Sequence, residues 1–237
     1  MCVKRVPITG GKMVLTADGQ ALETKHLGFT ISPHEECAVE EAVRIGGEVV
    51  VLTLGPAEAE EQLRDCMAIG ADRGILLKTN EEWDAQSTAA AIVDAIRGEE
   101  PFDLILFGNE SADAAGFQVG IRVAHALGLP VVTGVKKIEV GDGRVRCERD
   151  VGGARDVYET LLPAVLTVLE GLNLPRYPSV PGRLRAKSKL LAVVEPARPE
   201  QKLEKLRLVV PEGQGKQAEV LENAAQVVAV MQSLGVA

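Results

Sequence analysis

The stretch from Gly108 to Gly120 consists mostly of small and polar residues, which let a ligand approach the backbone closely. It follows residues 103–107, an apolar run typical of a buried strand, and it contains nothing bulky before Phe117. Unpaired N–H groups at the start of a following helix attract anions, so the stretch fits a phosphate site. It matches neither G-x-G-x-x-G nor G-x-x-x-x-G-K-S/T, and a plain connection with Ser111 or Asp113 as the helix cap fits the residues equally well.

The cysteines give no sign of a metal centre or a disulfide framework. They are far apart and lack C-x-x-C spacing, at Cys2, Cys37, Cys66 and Cys147. Buried thiols in a reducing compartment are the simplest explanation. No combination of nucleophile, base and metal ligands stands out either, so we expect neither catalytic residues nor a bound metal in this chain.

Length and charge restrict the classes of partner. The chain has 237 residues and is apolar enough for one large α/β domain, or for a domain with an appendage. Its formal net charge of -8 argues against general binding to nucleic acid or to anionic membranes, and favours a small-molecule or protein partner. No apolar run approaches the ~20 residues that a membrane span needs, and the amino terminus lacks the apolar segment of a signal peptide. The sequence therefore predicts a cytoplasmic protein without membrane insertion.

Apolar strands alternate with helical patterns over the first 170 residues. Strands are predicted at 49–54, 74–78, 103–107 and 164–169, and helices at about 33–46, 57–69, 86–98 and 114–127. This alternation is typical of a parallel sheet with helices on both faces. The first helix has the clearest start, because residues 32–35 (Ser-Pro-His-Glu) combine a capping serine, a proline and a glutamate three residues after the cap.

Two segments have the pattern of hairpins, residues 7–30 and residues 134–160. Their turns are predicted at Asp18-Gly19 and at residues 141–143 (Gly-Asp-Gly). These hairpins interrupt the parallel pattern.

The last third of the chain has a different character. Residues 174–182 hold three prolines, which predicts an extended surface loop. A final helix is predicted near 216–234, where apolar residues recur at helical spacing at Val220, Ala224, Val227, Met231 and Leu234. This stripe needs a covering surface, either on its own domain or on a partner subunit.

Six sequence blocks, in this order and at this spacing, indicate a known family. They are Val3–Val6, Ala38–Ala42, Ala68–Gly74, Gly108–Gly120, Leu162–Val165, and Asn173–Tyr177 followed by Pro181 and Ala186-Lys187. Together they resemble the β subunit of electron transfer flavoprotein over nearly the whole chain. The resemblance implies an α/β, parallel-sheet, three-layer domain of the adenine-nucleotide α-hydrolase-like type at 1–190. It also implies a C-terminal arm at 191–237, whose helix packs on the partner subunit.

The same resemblance implies a bound AMP of structural importance in this chain, while an α subunit mainly holds the redox FAD. The residues implied for the nucleotide site are Cys2, Ser32, Pro33, His34, Glu35, Leu54, Gly108, Asn109, Glu110, Ser111, Ala112, Asp113, Ala114, Ala115, Gly116, Phe117, Gln118 and Val119. Backbone N–H groups near Gly116–Val119 are expected to surround the phosphate.

The chain departs from the family pattern at several of these positions. Phe117 stands where an Asn is common and Val119 where a Thr is common, so two side-chain hydrogen bonds are lost while Gln118 remains a donor. His34 replaces an aromatic residue near the flavin, and from its position alone it is an exposed residue of the first helical turn. Relatives begin with a full strand before the Val3–Val6 block. We therefore expect a shortened first strand here, unless the native start lies upstream.

The resemblance makes residues 177–186 a recognition loop that docks on acyl-CoA or other flavin dehydrogenases, from which electrons pass toward a quinone reductase. The docking residues would be Tyr177, Pro178, Ser179, Val180 and Pro181, with Val180 in the place of the family's leucine anchor. This carrier subunit would have no catalytic residues of its own. Two alternatives are a bifurcating electron transfer flavoprotein, with a second FAD in place of AMP, and a stand-alone adenine-nucleotide-binding regulator.

Overall fold

The computed structural model describes residues 1–8, 10, 13–198, 200–210 and 220–236. In chain order the strands are β1 (Val6–Pro7), β2 (Phe29–Thr30), β3 (Val50–Gly55), β4 (Arg73–Lys78), β5 (Leu104–Gly108), β6 (Val131–Val135), β7 (Lys137–Gly141), β8 (Arg144–Val151), β9 (Ala154–Leu161), β10 (Ala164–Val168) and β11 (Leu191–Val194). The helices are α1 (Pro33–Ile45), α2 (Glu60–Ile69), which follows a 3-10 turn at Ala57–Ala59, α3 (Ala85–Arg97), α4 (Val119–Leu127), α5 (Val180–Ala186) and α6 (Ala224–Ser233).

The central sheet is parallel and has two halves, β11-β4-β3 and β5-β10-β6. A short segment, Met1–Val3, lies between them, and Cys2 bridges in parallel to both Leu52 on β3 and Phe107 on β5. The Cys2 N–H donates to the carbonyl of Leu106 at 2.9 Å, and the Val3 N–H donates to that of Leu52 at 2.9 Å. The first strand is therefore short, as expected.

Helices cover both faces of this sheet, which confirms the predicted three-layer α/β fold. On one face, α3 and α4 contribute Ile92 and Val123 to a buried cluster with Ile75 of β4. On the other face, α1 and α2 contribute Val39 and Leu63 to a second cluster with β3 and β4. Burial on both faces explains why the central strands are continuous apolar runs and do not alternate.

The predicted strands at β3, β4, β5 and β10 are correct to within one residue at each end. Both predicted hairpins are also confirmed. Leu15 pairs with Leu22 across the turn at Asp18-Gly19, and β1 pairs antiparallel with β2. The second hairpin, β7 with β8, continues into a third antiparallel strand, β9, which the sequence did not predict as a separate strand.

The starts of α4 and α5 differ from the predictions. Helix α4 begins at Val119 and not at residue 114, because Ala115 and Phe117 have left-handed φ values of 45° and 55°, which a right-handed helix excludes. The proline-rich segment is extended only up to Ser179, after which α5 begins. The Ser179 hydroxyl accepts a hydrogen bond from the Gly182 N–H at 3.1 Å, and proline is favourable in a first helical turn.

The first four residues of the predicted arm, 191–194, form strand β11, which pairs in parallel with β4. The chain therefore leaves the central sheet only after Val194. Further along, the Lys202 and Leu203 N–H groups donate to Oδ2 of Asp84, the residue that caps α3, at 2.7 and 3.0 Å. Helix α6 carries three residues of the predicted apolar stripe, Ala224, Val227 and Met231, and none of its residues is buried against the described part of the chain. The predicted start of this helix, at 216–219, lies outside the described residues. Residues 220–223 were wrongly predicted as helical: the helix begins only at Ala224, because the Asn223 side chain caps it by accepting from the Gln226 N–H.

Candidate functional site

The predicted site residues meet at the carboxyl edge of the sheet, where β3 and β5 end. Leu54 is the next-to-last residue of β3, and Gly108 is the last residue of β5. The Ser32 hydroxyl, at the cap of α1, donates to the Glu110 carbonyl at 3.3 Å and so contacts the loop that follows β5. The structure thus brings the start of α1 and the loop before α4 together, as expected for an open parallel sheet.

Glu35 is the buried polar centre of this edge. Its Oε2 accepts from the Ser32 N–H at 2.9 Å, completing the predicted capping box, and its Oε1 accepts from the Lys4 N–H at 2.8 Å. Burial raises the pKa of the Glu35 carboxyl to about 8, against the opposing effect of the two N–H donors. The carboxyl therefore fixes the chain just after the Met1–Val3 segment to the start of α1.

The stretch from Gly108 to Gly120 contains three glycines, and packing explains only two of them. A β-carbon at Gly108 would lie 2.6 Å from Cγ of Glu35, and one at Gly120 would lie 2.9 Å from Cγ2 of Thr167. Packing requires glycine at both positions. At Gly116, in contrast, a β-carbon would meet nothing within 4 Å, so packing within the described chain does not explain this glycine.

The N–H groups of Gly116, Phe117 and Gln118 have no protein acceptor among the described residues. They come directly before the first turn of α4, where further N–H groups lack intrahelical partners. The left-handed conformations of Ala115 and Phe117 shape this run of N–H groups. Successive free N–H groups at a helix start form an anion-binding site when a phosphate is present.

His34 is not the exposed residue that its position predicts. Its side chain is only 18% exposed, and its Nε2 lies 3.4 Å from Oε1 of Glu110. Its Nδ1 accepts a hydrogen bond from the Glu170 N–H at 2.7 Å, so the ring proton is assigned to Nε2, facing the carboxylate. His34 thus connects the loop after β5 with the segment after β10. Contact with a flavin remains a prediction.

Cys2 lies deeper than the other predicted site residues. Its side chain is buried with Leu52 and Phe107, and burial raises the pKa of its thiol to about 11. The thiol is therefore neutral and packs as a small apolar group. All four cysteines are buried and free, in agreement with the sequence prediction.

Lys4 also lies at this edge of the sheet, although the sequence did not predict it as a site residue. Its Nζ lies 2.8 and 2.7 Å from the two carboxylate oxygens of Asp113, in the loop after β5. The available signal was its place two residues after Cys2, in a segment that ends at the carboxyl edge of the sheet. Among the residues that the structure describes, no group of three or more His, Cys, Asp or Glu side chains is placed to hold a metal ion.

Comparison with known proteins identifies the family. Residues 21–199 match the model of the electron transfer flavoprotein domain. The chain is 37% identical to the electron transfer flavoprotein subunit beta of Syntrophomonas wolfei, over 89% of this chain and 84% of that protein. The chain belongs to the electron transfer flavoprotein β-subunit family. Its fold and its role in electron transport as part of a flavoprotein follow from this membership.

Two further relatives show the range of the family. The electron transfer flavoprotein subunit beta of Bacillus subtilis is 36% identical, over 70% of this chain and 67% of that protein. Subunit CarD of the caffeyl-CoA reductase-Etf complex of Acetobacterium woodii is 34% identical, over 78% of this chain and 73% of that protein. Within the described ranges, no helix is long and apolar enough to cross a membrane.

The predicted recognition loop, residues 177–186, has highly exposed side chains in its first part. Tyr177 is 94% exposed and Val180 is 73% exposed. The buried carboxylate of Glu40 on α1 holds the base of this segment, accepting from Nε and Nη2 of Arg176 at 2.8 Å each and from Nε of Arg44 at 2.7 Å. Although burial raises the pKa of Glu40, the hydrogen bonds from Arg176 and Arg44 leave it below its ordinary value.

Helix α5 fixes the other end of the recognition loop against α2. A β-carbon at Gly182 would lie 2.4 Å from the carbonyl oxygen of Ala68, so only glycine allows this approach. Nη1 of Arg64 donates to the carbonyls of Ala186 and Lys189 at 2.7 and 2.8 Å. The exposed side chains are therefore presented by a backbone that is held at both ends.

Glu35→Gln should reduce the pH dependence of stability. The pKa of Glu35 is raised from 4.5 to about 8 in the folded state, so the folded chain holds a proton that the unfolded chain releases. The stability that this proton contributes is complete below 4.5 and is lost as the pH rises through 8, at up to about 1.4 kcal/mol per pH unit. Urea unfolding across this pH range measures the slope. The exposed Glu58→Gln variant should keep the wild-type slope, and an equal slope in Glu35→Gln would contradict the assignment.

Proposed function

We propose that this chain binds AMP as a structural nucleotide, with the phosphate on the N–H groups of Gly116–Val119. The observation that carries this proposal is the combination of free N–H groups with a glycine that packing does not explain. Ser32–Glu35 and Leu54 border the same edge and would contact the nucleoside. In family terms, these residues form the AMP site of an electron transfer flavoprotein β subunit.

The redox group of this proposal is FAD, held mainly by an α subunit with which this chain forms a heterodimer. When bound, FAD accepts electrons from flavin dehydrogenases and passes them toward a quinone reductase. This chain contributes no catalytic residue. It positions the two segments proposed to contact partners, the recognition loop and α6. Its His34, beside the loop after β5, places a hydrogen-bonded imidazole where the family carries an aromatic side chain.

A second FAD in place of AMP is the competing function. Its support is the similarity to a subunit of a caffeyl-CoA reductase-Etf complex. The two functions differ in flavin content. A visible spectrum of the purified α–β complex, with analysis of the nucleotide released by heat, distinguishes one FAD plus AMP from two FADs.

Gly116→Val should remove most of the bound AMP without unfolding the chain. A β-carbon here would meet no protein atom within 4 Å, and the valine side chain would occupy the space that a phosphate needs beside the backbone. AMP released per complex should fall by roughly fivefold or more, while the melting temperature measured without nucleotide stays close to that of the wild type. Gly141→Val is the matched control, because that glycine is equally open and lies on β7. A wild-type complex that releases no adenine nucleotide contradicts AMP binding.

Val180 is the dehydrogenase anchor of the proposed docking surface, Tyr177–Pro181. An exposed aliphatic side chain on a backbone fixed by Glu40 and α5 loses little conformational entropy when it enters a pocket. Acyl-CoA or other flavin dehydrogenases are the proposed partners. The exposed Tyr177 beside it is of the type that concentrates in binding hot spots.

Val180→Ala should therefore weaken dehydrogenase binding by about 5- to 30-fold, corresponding to roughly 1–2 kcal/mol of lost apolar contact. Electron transfer from a partner dehydrogenase, measured over a range of carrier concentrations, gives the apparent affinity. Val157→Ala, at an exposed valine on β9, should change neither affinity nor flavin content. Unaltered affinity in Val180→Ala, or loss of flavin together with activity, would refute the anchor.

Helix α6 is the proposed contact with the α subunit. Val227 and Met231 lie on its apolar stripe, and both are exposed in this chain. Replacing both with glutamate should weaken the heterodimer by about tenfold or more, because two charges would be buried in an apolar contact. Gln232→Glu is the control on another side of the helix. Sedimentation of the α–β mixture measures association, and an unchanged heterodimer would exclude this contact.

A further inference from the structure

The side chain of Lys4 connects two segments of the site that are far apart in sequence. Its Nζ contacts both carboxylate oxygens of Asp113, at 2.8 and 2.7 Å, while its backbone N–H is fixed by Glu35 at 2.8 Å. Asp113 lies three residues before Gly116. The lysine ammonium is therefore held beside the loop whose free N–H groups form the proposed phosphate site.

The charges of this loop favour a cation beside a bound phosphate. Glu110 and Asp113 place two carboxylates in the loop, and a nucleotide phosphate adds negative charge next to them. His34 faces Glu110, and the guanidinium of Arg122 is hydrogen-bonded to Oε1 of Gln118 at 2.9 Å, one turn inside α4. Arg122 thus lies at the end of the loop, and Lys4 places a second full positive charge at its middle, beside Asp113.

The geometry leaves the Lys4 ammonium free to make one further hydrogen bond. An ammonium group has three N–H donors, and the two oxygens of Asp113 account for two of them. The Lys4 side chain is 45% exposed, so solvent or a ligand reaches the group. An ion pair with this exposure contributes little to fold stability, which leaves its placement beside the loop without a structural explanation.

We propose that the Lys4 ammonium binds the phosphate of the nucleotide while Asp113 orients it. The assignment rests on the proposed AMP function and adds a side-chain charge to a site otherwise described through backbone N–H groups. In this arrangement Asp113 is a positioning residue: it holds the flexible lysine stem over the loop before the nucleotide arrives. Lys4 distinguishes a nucleotide from a nucleoside, because only the nucleotide carries a phosphate.

Calorimetric titration of the nucleotide-depleted α–β complex with AMP and with adenosine tests this role. Lys4→Gln should weaken AMP binding by about tenfold, the order expected for one charge-assisted hydrogen bond at a half-exposed site. Adenosine binding should remain at the wild-type value, which also shows that the variant site is folded. Lys137→Gln removes an ion-paired lysine of β7, which pairs with Glu139 at 2.8 Å, and should change neither affinity.

The double variant Lys4→Gln/Asp113→Asn separates phosphate contact from simple neutralisation of Asp113. Lys4→Gln alone leaves an unpaired carboxylate that repels phosphate, and the double variant removes that carboxylate. With a direct contact, AMP binding by the double variant stays at least about fivefold weaker than in the wild type. Full recovery would show that Lys4 only neutralises Asp113 and would overturn the assignment.

The remaining outcomes are equally decisive. Equal losses of AMP and adenosine affinity in Lys4→Gln would assign the lysine to site shape and overturn the phosphate contact. If the wild-type complex binds AMP and Lys4→Gln binds it with the same affinity, the role of Lys4 is overturned while the proposed function stands. A wild-type complex that does not bind AMP would overturn the proposed function itself.

Discussion

Backbone hydrogen bonds through the segment Met1–Val3 join the two halves of the parallel sheet, and the candidate site depends on this junction. The segment pairs with β3 on one side and with β5 on the other. Because Val3 is fixed in the sheet, Lys4 emerges at the carboxyl edge, where its N–H meets Glu35. The same carboxyl caps α1 and packs on Gly108, so one short segment sets the relative positions of β3, β5 and α1.

The site combines a buried carboxyl, whose surroundings disfavour negative charge, with free N–H groups, which attract negative charge. Glu35 is almost completely enclosed, and burial disfavours its charge, while the loop before α4 leaves several N–H groups without a protein acceptor. A carboxyl that resists ionisation adds less negative charge near a phosphate than an exposed carboxylate would. The two carboxylates of the loop itself, Glu110 and Asp113, are faced by His34 and Lys4, so each acidic side chain of the loop has a nearby basic partner.

Sequence patterns predicted the elements whose signals are local. The capping box at Ser32 and the apolar runs of the central strands require no tertiary information, and both are confirmed. The predicted start of α4 was wrong because the alanines before Gly116 have good helix propensity, whereas the left-handed backbone at Ala115 and Phe117 depends on the surrounding fold. Helix α5 was missed because three prolines were weighed as helix breakers, although Ser179 and a following proline also form a helix start. The burial of His34 depends on two loops that sequence spacing does not bring together.

Helix α1 links the two regions to which function is assigned. Its first turn, through Ser32 and Glu35, holds the candidate nucleotide site, and its later turns, through Glu40 and Arg44, hold the base of the recognition loop. A helix of this length, 13 residues, spans about 20 Å and bends little. Side-chain hydrogen bonds from one rigid helix thus hold both regions, and a change in either must move α1 or break those bonds. A partner bound at Val180, as proposed, would therefore lie at a fixed separation from the candidate nucleotide site.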